Sequence, residues 1–412
     1  MCGSALIKNI PPKLDGLQLR SKKKIIFINQ VTGYLFTDVV NAFAGNYDCT
    51  LYTGNIENTL VPLHKSVRVK RMTRYDRNVA IKRIFTWSSF AIESFFKLLF
   101  QKRDTELFIV SNPPIAPFLG YLFHQLRGTK YHLLIYDVYP DVLVNFGMIK
   151  KNSFINRQWS RINKKLFSKA ETVFTLSNNM ATLINNYAPV KVDVIPNWAH
   201  TGIIQPIPKE KNPFAFKYDQ ADKISVIYSG NMGATHAIER IADLAFAFKN
   251  DESFGFIAIG DGSKKTLIQQ KKIEWELQNL LILPYQPADV LPYSLACADI
   301  GIVTLSAGAE DLSVPSKTYN LLAAGVALLV IASPKSELAN LVSVHECGAH
   351  FQEHEIDKMK TFLLEMKNNP DSLLQLKKNA RKASNHFTPA NAQLYVQSLN
   401  NEYVPELVKT HL

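Results

Sequence analysis

Short runs of β-branched and aromatic residues recur along this chain with helical stretches between them, and no other feature restricts its fold as strongly. In the first half the runs are Ile25–Asn29, Leu107–Ser111, Tyr131–Asp137, Thr172–Ser177 and Lys191–Pro196. The rhythm restarts with Ile224–Gly230, Phe254–Gly260, Asn279–Leu283, Ile300–Leu305 and Ala327–Ala332. Parallel strands need long crossovers, and helices supply them, so this alternation predicts parallel sheets covered by helices. Two series predict two doubly wound α/β domains. Between them the linker is expected near Pro196–Pro213, where HTGIIQPIPKEKNP is proline-rich and without period. The 412 residues then divide into a tail over 1–21, a first domain over 22–200, a second over 201–386 and a closing helical segment over 387–412 that packs back toward the first domain.

Composition removes several alternatives. Hydrophobic residues at 47% and charged residues at 20% are enough to build cores and unlike a disordered chain. The longest apolar run, Leu321–Ala332, is 12 residues and is broken by Gly325, against about 18 for a membrane span. No transmembrane helix is expected, and the N-terminus lacks the apolar core of a signal peptide, which suggests a cytoplasmic protein. Cys2, Cys49, Cys297 and Cys347 show no CxxC or His-linked spacing, which fits a reducing compartment and no structural zinc. GxGxxG and GxxxxGK[ST] are both absent, which counts against dehydrogenases and P-loop NTPases.

Charge is unevenly divided. Residues 1–200 hold 27 Lys and Arg against 12 Asp and Glu; the rest hold 20 against 23. Within the basic half, Lys65–Arg103 carries eleven Lys and Arg with only Asp76 and Glu93, interleaved with Phe85, Trp87, Phe90, Phe95, Phe96 and Phe100. Apolar burial and attraction to headgroups add in such a stretch, so it suits an anionic membrane surface. The alternative is an ordinary helix with a solvated face. No nucleic-acid motif accompanies the charge, so nucleic acid is not an expected partner.

Ligands of open parallel sheets bind beyond the carboxyl ends of strands, where helix N-termini favour phosphate. Three loops fall at such places in the second series. IYSGNMGATHAIERI puts Gly230, Asn231 and Gly233 between a strand and a helix expected to begin near Thr235; glycine there lets a diphosphate approach the backbone, or simply makes a turn. AIGDGSKK puts Gly260, Asp261 and Gly262 after the next strand, to touch ligand or to form a plain turn capped by Ser263. In LSAGAEDLSVPSKTYNLLAAG, Glu310 and Asp311 precede a short helix that Pro315, Ser316 and Lys317 open and Gly325 ends. Ser316 and Lys317 can hold phosphate, and the two acids can bind hydroxyls of an attached sugar.

Together with LILPYQPADVLPYSLACADIGIVTL, these runs resemble the donor domain of family-4 retaining glycosyltransferases of the GT-B architecture. SNPPIAPFLG and YDVYPDVLVNFG in the first half are similar to the acceptor domain of the bacterial branch that builds O-antigen, capsule and exopolysaccharide, which includes L-fucosamine transferases. The likeness covers about residues 22–400. It implies two Rossmann-like domains facing across a cleft, a nucleotide-sugar donor on the second, an acceptor on the first, and no metal. By position, Gly230–Gly233 would lie under the donor diphosphate, Ser316 and Thr318 would contact the same group, and Pro284 and Tyr285 would flank the base. Relatives carry a ribose-binding glutamate where this chain has Asn320. Its companion eight positions earlier falls near Leu312, which leaves Glu310 or Asp311 to serve. Where relatives have Arg and Lys after the glycine turn, Asn231 and His236 stand here, so Lys317 is the expected cation for the departing diphosphate.

On the acceptor side relatives often have a histidine where this chain has Tyr136 and Asp137, followed by Tyr139 and Asp141. Asp137 can orient or deprotonate an acceptor hydroxyl, or stabilise positive charge on the sugar; it can also be a turn cap. Asn112, Thr32 and Gly33 are expected on the same rim. His124, His132 and His200 have no metal spacing. The expected activity is transfer of an N-acetylated or deoxy sugar from a UDP-sugar to a lipid-linked saccharide, with retention, on the inner face of the cell membrane. Two other readings stand beside it: a UDP-N-acetylglucosamine 2-epimerase, which would need more acids and histidines in the cleft, and a non-catalytic subunit.

Overall fold

The structure, a computed structural model, describes residues 22–57, 59–76, 79–233, 236–305 and 315–402. Its strands are β1 (Lys23–Ile28), β2 (Val31–Thr32), β3 (Tyr47–Thr53), β4 (Asn55–Ile56), β5 (Arg68–Arg71), β6 (Glu106–Val110), β7 (Tyr131–Ile135), β8 (Thr172–Thr175), β9 (Val192–Val194), β10 (Ile224–Ser229), β11 (Phe254–Ile259), β12 (Leu280–Leu283), β13 (Ile300–Thr304), β14 (Ala327–Ile331) and β15 (Gly348–Phe351). Seven make a first sheet in the order β5-β3-β1-β6-β7-β8-β9, six make a second in the order β12-β11-β10-β13-β14-β15, and β2 pairs with β4. Every pairing is parallel.

Each sheet winds outward from one central strand and then restarts on its other side. The first reverses between β1 and β6, the second between β10 and β13, and a crevice opens at the carboxyl ends of each such pair. Ten of the strands lie where the apolar runs predict them. Among those the runs do not mark, β3 reads YDCTLYT, β5 reads RVKR and β15 reads GAHF. β5 and β15 are edge strands, and an edge tolerates cations and small residues that a central strand would exclude.

The first core is aromatic. Phe27 meets Phe36, Phe43 and Phe108 at 6.0, 5.3 and 5.4 Å between ring centroids. The closing helix Asn391–Leu399 brings Tyr395 to 4.9 Å from Phe174 and 6.1 Å from Phe108, so the C-terminal segment packs on the first sheet. The chain therefore crosses between the two sheets twice, and the crossings are joined where Ala199 N–H donates to the Phe387 carbonyl at 3.1 Å. The second core is separate and holds Phe248, Phe254 and Phe256. At its base the Asp299 carboxylate accepts from Lys209 at 2.5 Å and Lys377 at 2.8 Å. Burial pushes that carboxyl up, and the two ammoniums overcome it and hold it below the usual range.

Lys65–Arg103 is not one helix. Arg68, Lys70 and Arg71 lie on β5, and only Ala80–Leu99 is helical. Between the halves the Glu337 carboxylate accepts from the Asn178 and Asn179 amides at 2.8 and 3.3 Å, and one buried apolar cluster runs on from the first sheet to Tyr319, Leu321 and Phe387.

Candidate active site

Gly230 follows β10 with φ +148°, and Gly260 and Gly262 follow β11 with φ +144° and +151°. These backbone angles favour glycine, and space does too. A Cβ on Gly260 would stand 1.9 Å from the Gly230 carbonyl oxygen, and one on Gly262 2.5 Å from the Met232 carbonyl carbon. The two loops thus lie backbone against backbone, tied by Met232 N–H to the Asp261 carbonyl at 2.8 Å and Lys264 N–H to the Met232 carbonyl at 2.9 Å. Ser263 does not cap the next helix, which spans Lys265–Glu274 with Lys264 at its cap position; that residue's amide is turned to the neighbouring loop instead. The helix after the first turn begins at Glu239, later than expected, because His236 N–H closes a turn on the Gly233 carbonyl at 3.2 Å.

Lys317, the first residue of the helix Lys317–Ala323, reaches over this floor. Its Cε would be 3.0 Å from a Cβ placed on Gly230. Its ammonium donates to the Tyr228 hydroxyl at 2.6 Å and lies 3.9 Å from the centre of that ring. No carboxylate among the described residues forms an ion pair with it. Burial alone pushes this ammonium down to about 7, so Lys317 is a half-desolvated cation at the reversal point of the second sheet.

His236 stands 6.3 Å from Tyr228 between rings, with Nδ1 2.8 Å from the Thr304 carbonyl. A carbonyl only accepts, so Nδ1 carries the proton. Burial, then the Lys317 charge, pushes the imidazole down to about 4. His236 is thus a neutral ring with Nε2 as acceptor, not a second cation. Asn231 stacks its amide near Gly233, whose Cβ would be 2.9 Å from Asn231 Nδ2. Tyr285 is 51% exposed, and Pro284 beside it accepts from Gln286 at 2.8 Å. Asp261 pairs with Lys265 at 3.8 Å.

Thr318 is fully buried, its hydroxyl without a partner among the described residues, so its side chain does not face the cleft. Ser316 sits at the helix cap without capping it. The Asn320 Oδ1 is also buried and unpartnered, while its amide faces Tyr34 across the cleft. Glu310 and Asp311 lie outside the described residues, as does Thr235.

On the first sheet, Asp137 lies two residues past β7. The Ser111 hydroxyl accepts from the Tyr136 and Asp137 amides at 3.0 and 3.3 Å and fixes the turn. The Asp137 carboxyl has no hydrogen bond among the described residues, so it caps nothing there, and burial pushes it up to about 6. Tyr139 is stacked on Trp159 at 6.1 Å and 16°. Asp141 differs from both: its carboxylate accepts a hydrogen bond from the Tyr187 hydroxyl, which makes it a structural partner. Thr32 is likewise turned inward, 3.0 Å from the Thr53 hydroxyl. Gly33 caps the helix Tyr34–Phe43, and a Cβ there would stand 3.9 Å from the Glu57 carbonyl oxygen; the Asn112 carbonyl accepts from Gln30 N–H at 2.9 Å.

Sequence reading does not find Tyr228, Tyr34 or the neutral state of His236. A tyrosine two residues before the glycine turn is the one available signal for Tyr228. Among the described residues no cluster of three or more His, Cys, Asp or Glu could hold a metal.

No protein-family model matches the chain. It is 28% identical over 234 residues, 56% of this chain, to the probable glycosyltransferase WbjE of Pseudomonas aeruginosa. Over 270 residues, 63% of this chain, it is 27% identical to the putative colanic acid biosynthesis glycosyl transferase WcaI of Escherichia coli. These matches span 58% and 66% of the relatives' own lengths. In three dimensions it matches the Anabaena HepE protein, solved with UDP-glucose, at a TM-score of 0.71 and 12% identity over 92% of this chain and 99% of that one. With two parallel sheets facing across a cleft, the chain has the α/β GT-B fold and is related in sequence to proteins named as glycosyltransferases.

Proposed function

We propose that this chain is a retaining glycosyltransferase that moves a sugar from a UDP-sugar to a lipid-linked saccharide of a cell-surface polysaccharide, without a metal. The observation that carries the reading is the Lys317 ammonium on Gly230, with no carboxylate partner among the described residues. A donor diphosphate over Gly230 and Gly233 would meet this cation at its departing oxygens. Preorganised charge of this kind is commonly the largest catalytic contribution when charge develops on a leaving group. A desolvated lysine near neutrality takes up a proton as a dianionic group approaches, so it is most fully charged when the donor is in place. Asp137, a carboxyl of raised pKa on the opposite rim, holds the acceptor hydroxyl and takes its proton. The similarity to WbjE and WcaI, and the UDP-glucose bound by HepE, support the substrate class.

The lipid-facing part of the reading rests on the helix Ala80–Leu99. Ile81, Phe85, Ile92, Phe96 and the following Phe100 are 79, 69, 56, 56 and 87% exposed, and their spacing puts them along one stripe. Leu122 and Leu126 of the helix Pro117–Arg127 are exposed beside it, where Arg127 donates to the Leu98 and Leu99 carbonyls. A hollow at the base of the same sheet is lined by Lys22, Lys23, Lys24, Lys102, Arg103 and Lys130. Apolar stripe and cations together fit a protein lying on anionic lipid. No helix of the described residues is long and apolar enough to cross a membrane.

Melting with added nucleotide tests the donor assignment. UDP at millimolar concentration raises the melting temperature by linkage; a shift with GDP and none with UDP removes the UDP assignment. Incubation with a panel of nucleotide sugars then separates transfer or hydrolysis from an epimerised product and from no reaction.

A further inference from the structure

The glycine floor of the second sheet holds a contact to which the leaving-group chemistry gives no role, the one between Lys317 and Tyr228. Tyr228 lies near the end of β10, opposite Ala258 of β11. Its ring belongs to the second core and is fully buried, and its hydroxyl reaches the turn that follows. There it donates to the Asn231 carbonyl at 2.5 Å. A carbonyl only accepts and a phenol carries one proton, so toward Lys317 the phenol oxygen can only accept. The ammonium donates to it at 2.6 Å and stands 3.9 Å from the ring centre. Ammonium, phenol and Asn231 carbonyl thus form one chain of hydrogen bonds across Gly230, where a Cβ would lie 3.2 Å from the Lys317 Nζ.

Other half-buried lysines of this domain end on carboxylates, as Lys209 does on Asp299 at 2.5 Å and Lys271 on Asp243 at 2.6 Å. A carboxylate at the floor would cancel the charge that a diphosphate needs. A phenol fixes the same ammonium and leaves its charge whole, and the contact uses one of three N–H groups. Fixing matters because a lysine stem is otherwise free to rotate, and a ligand that must order it binds more weakly. The titratable groups nearest the ammonium are Tyr228 and the neutral His236, on which Tyr285 and Lys264 act in turn. We propose that Tyr228 is a positioning residue for the donor diphosphate: its hydroxyl, tied to Asn231, holds the Lys317 ammonium over Gly230 without neutralising it. Two N–H groups are then left for the departing phosphate oxygens. This rests on the glycosyltransferase reading and adds to it the group that sets its cation in place.

UDP is the probe, titrated by calorimetry at pH 8 into the full chain as wild type, Tyr228→Phe, Lys317→Met and the double variant. Phenylalanine keeps the ring and removes only the hydroxyl. Tyr228→Phe is expected to weaken UDP binding about tenfold, the effect of losing one hydrogen bond to a charged group, and to weaken it no further in the Lys317→Met background. The donor lost to Asn231 is common to both backgrounds, so this cycle isolates what passes through Lys317. The pH above which UDP affinity falls is expected to be lower in Tyr228→Phe, because the ammonium has lost an acceptor that favours its charged form. Undiminished binding in Tyr228→Phe, an equal loss in both backgrounds, or an unmoved pH dependence overturns the proposal. Should Tyr228→Phe not fold, replacing Tyr228 by meta-fluorotyrosine weakens the oxygen as an acceptor at nearly constant shape. Burial pushes this phenol up, so it stays neutral at pH 8. Weaker UDP binding confined to proteins that keep Lys317 is then expected, and its absence overturns the proposal. Failure of UDP to bind the wild type, or equal binding by wild type and Lys317→Met, strikes the donor reading itself and this proposal with it.

Discussion

The two halves spend their charges differently. In the second half several half-buried cations are paired within the fold: Lys209 and Lys377 on Asp299, Arg240 and Lys271 on Asp243, Lys264 on Glu239, Lys367 on Asp251. Lys317 stands apart from this pattern and is buried at the glycine floor. The first half carries a surplus of 15 Lys and Arg over Asp and Glu, so pairing within that half cannot neutralise it, and its longest helix leaves an apolar stripe in solvent. The second half thus pairs much of its half-buried positive charge within the fold. The other carries a net positive charge of 15 on its Lys, Arg, Asp and Glu. On the proposed function, that contrast separates a site for a small soluble anion from a surface for an extended one.

The largest effect is expected at the exception. Lys317→Ala removes the cation from the diphosphate and lowers turnover by about 10²- to 10³-fold, whereas Lys377→Ala, equally cationic but paired, leaves turnover within a few-fold once the protein is folded. Comparable losses from both in single-turnover assays would dissolve the distinction between paired and unpaired cations. Next comes the floor itself. Gly260→Ala sets a Cβ against the Gly230 carbonyl at φ +144° and costs about 3 kcal/mol of stability; an unchanged denaturation midpoint would mean that the loops are not packed as described.

The dependence on pH follows from the two shifted groups. Asp137, raised to about 6, accepts a proton only when ionised, so kcat/KM falls about tenfold per unit below that pH. Lys317, lowered to about 7, is charged in the free protein only below that value, so kcat/KM also falls as pH rises past 7. The expected profile is a narrow bell, and a flat profile between pH 5.5 and 8.5 would refute both assignments. The smallest effect belongs to the surface. Lys97→Ser is expected to weaken binding to anionic vesicles by about 1 kcal/mol, roughly fivefold, with wild-type binding falling as salt screens the attraction. Vesicle binding insensitive to salt would leave the first half's charge without its assigned role.

Local pattern explains how much of this was legible in sequence. The central strands are apolar on both faces, so they stand out as runs, and Gly230 and Gly260 were findable because a positive φ demands glycine at a strand end. Lys317 was found as a cation beside a proline. Contacts between distant positions were not legible: Lys317 meets Tyr228 across 89 residues, and Tyr187 engages Asp141 across 46. Asp141 and Thr32 looked like rim groups because sequence gives the place along a strand but not which way the side chain turns.

The central claim is that a diphosphate is received by Lys317 at the Gly230 turn. Calorimetric titration of UDP at pH 8, in two buffers of different ionisation enthalpy, tests it directly, because the nucleotide's own phosphate, with a pKa of about 6, is already ionised there. A free lysine of pKa about 7 is mostly neutral at that pH and must gain a proton on binding. Uptake of nearly one proton per UDP is expected in the wild type and none in Lys317→Met, with weaker binding. Binding of equal strength and without proton uptake in both proteins would place the diphosphate elsewhere and contradict the account.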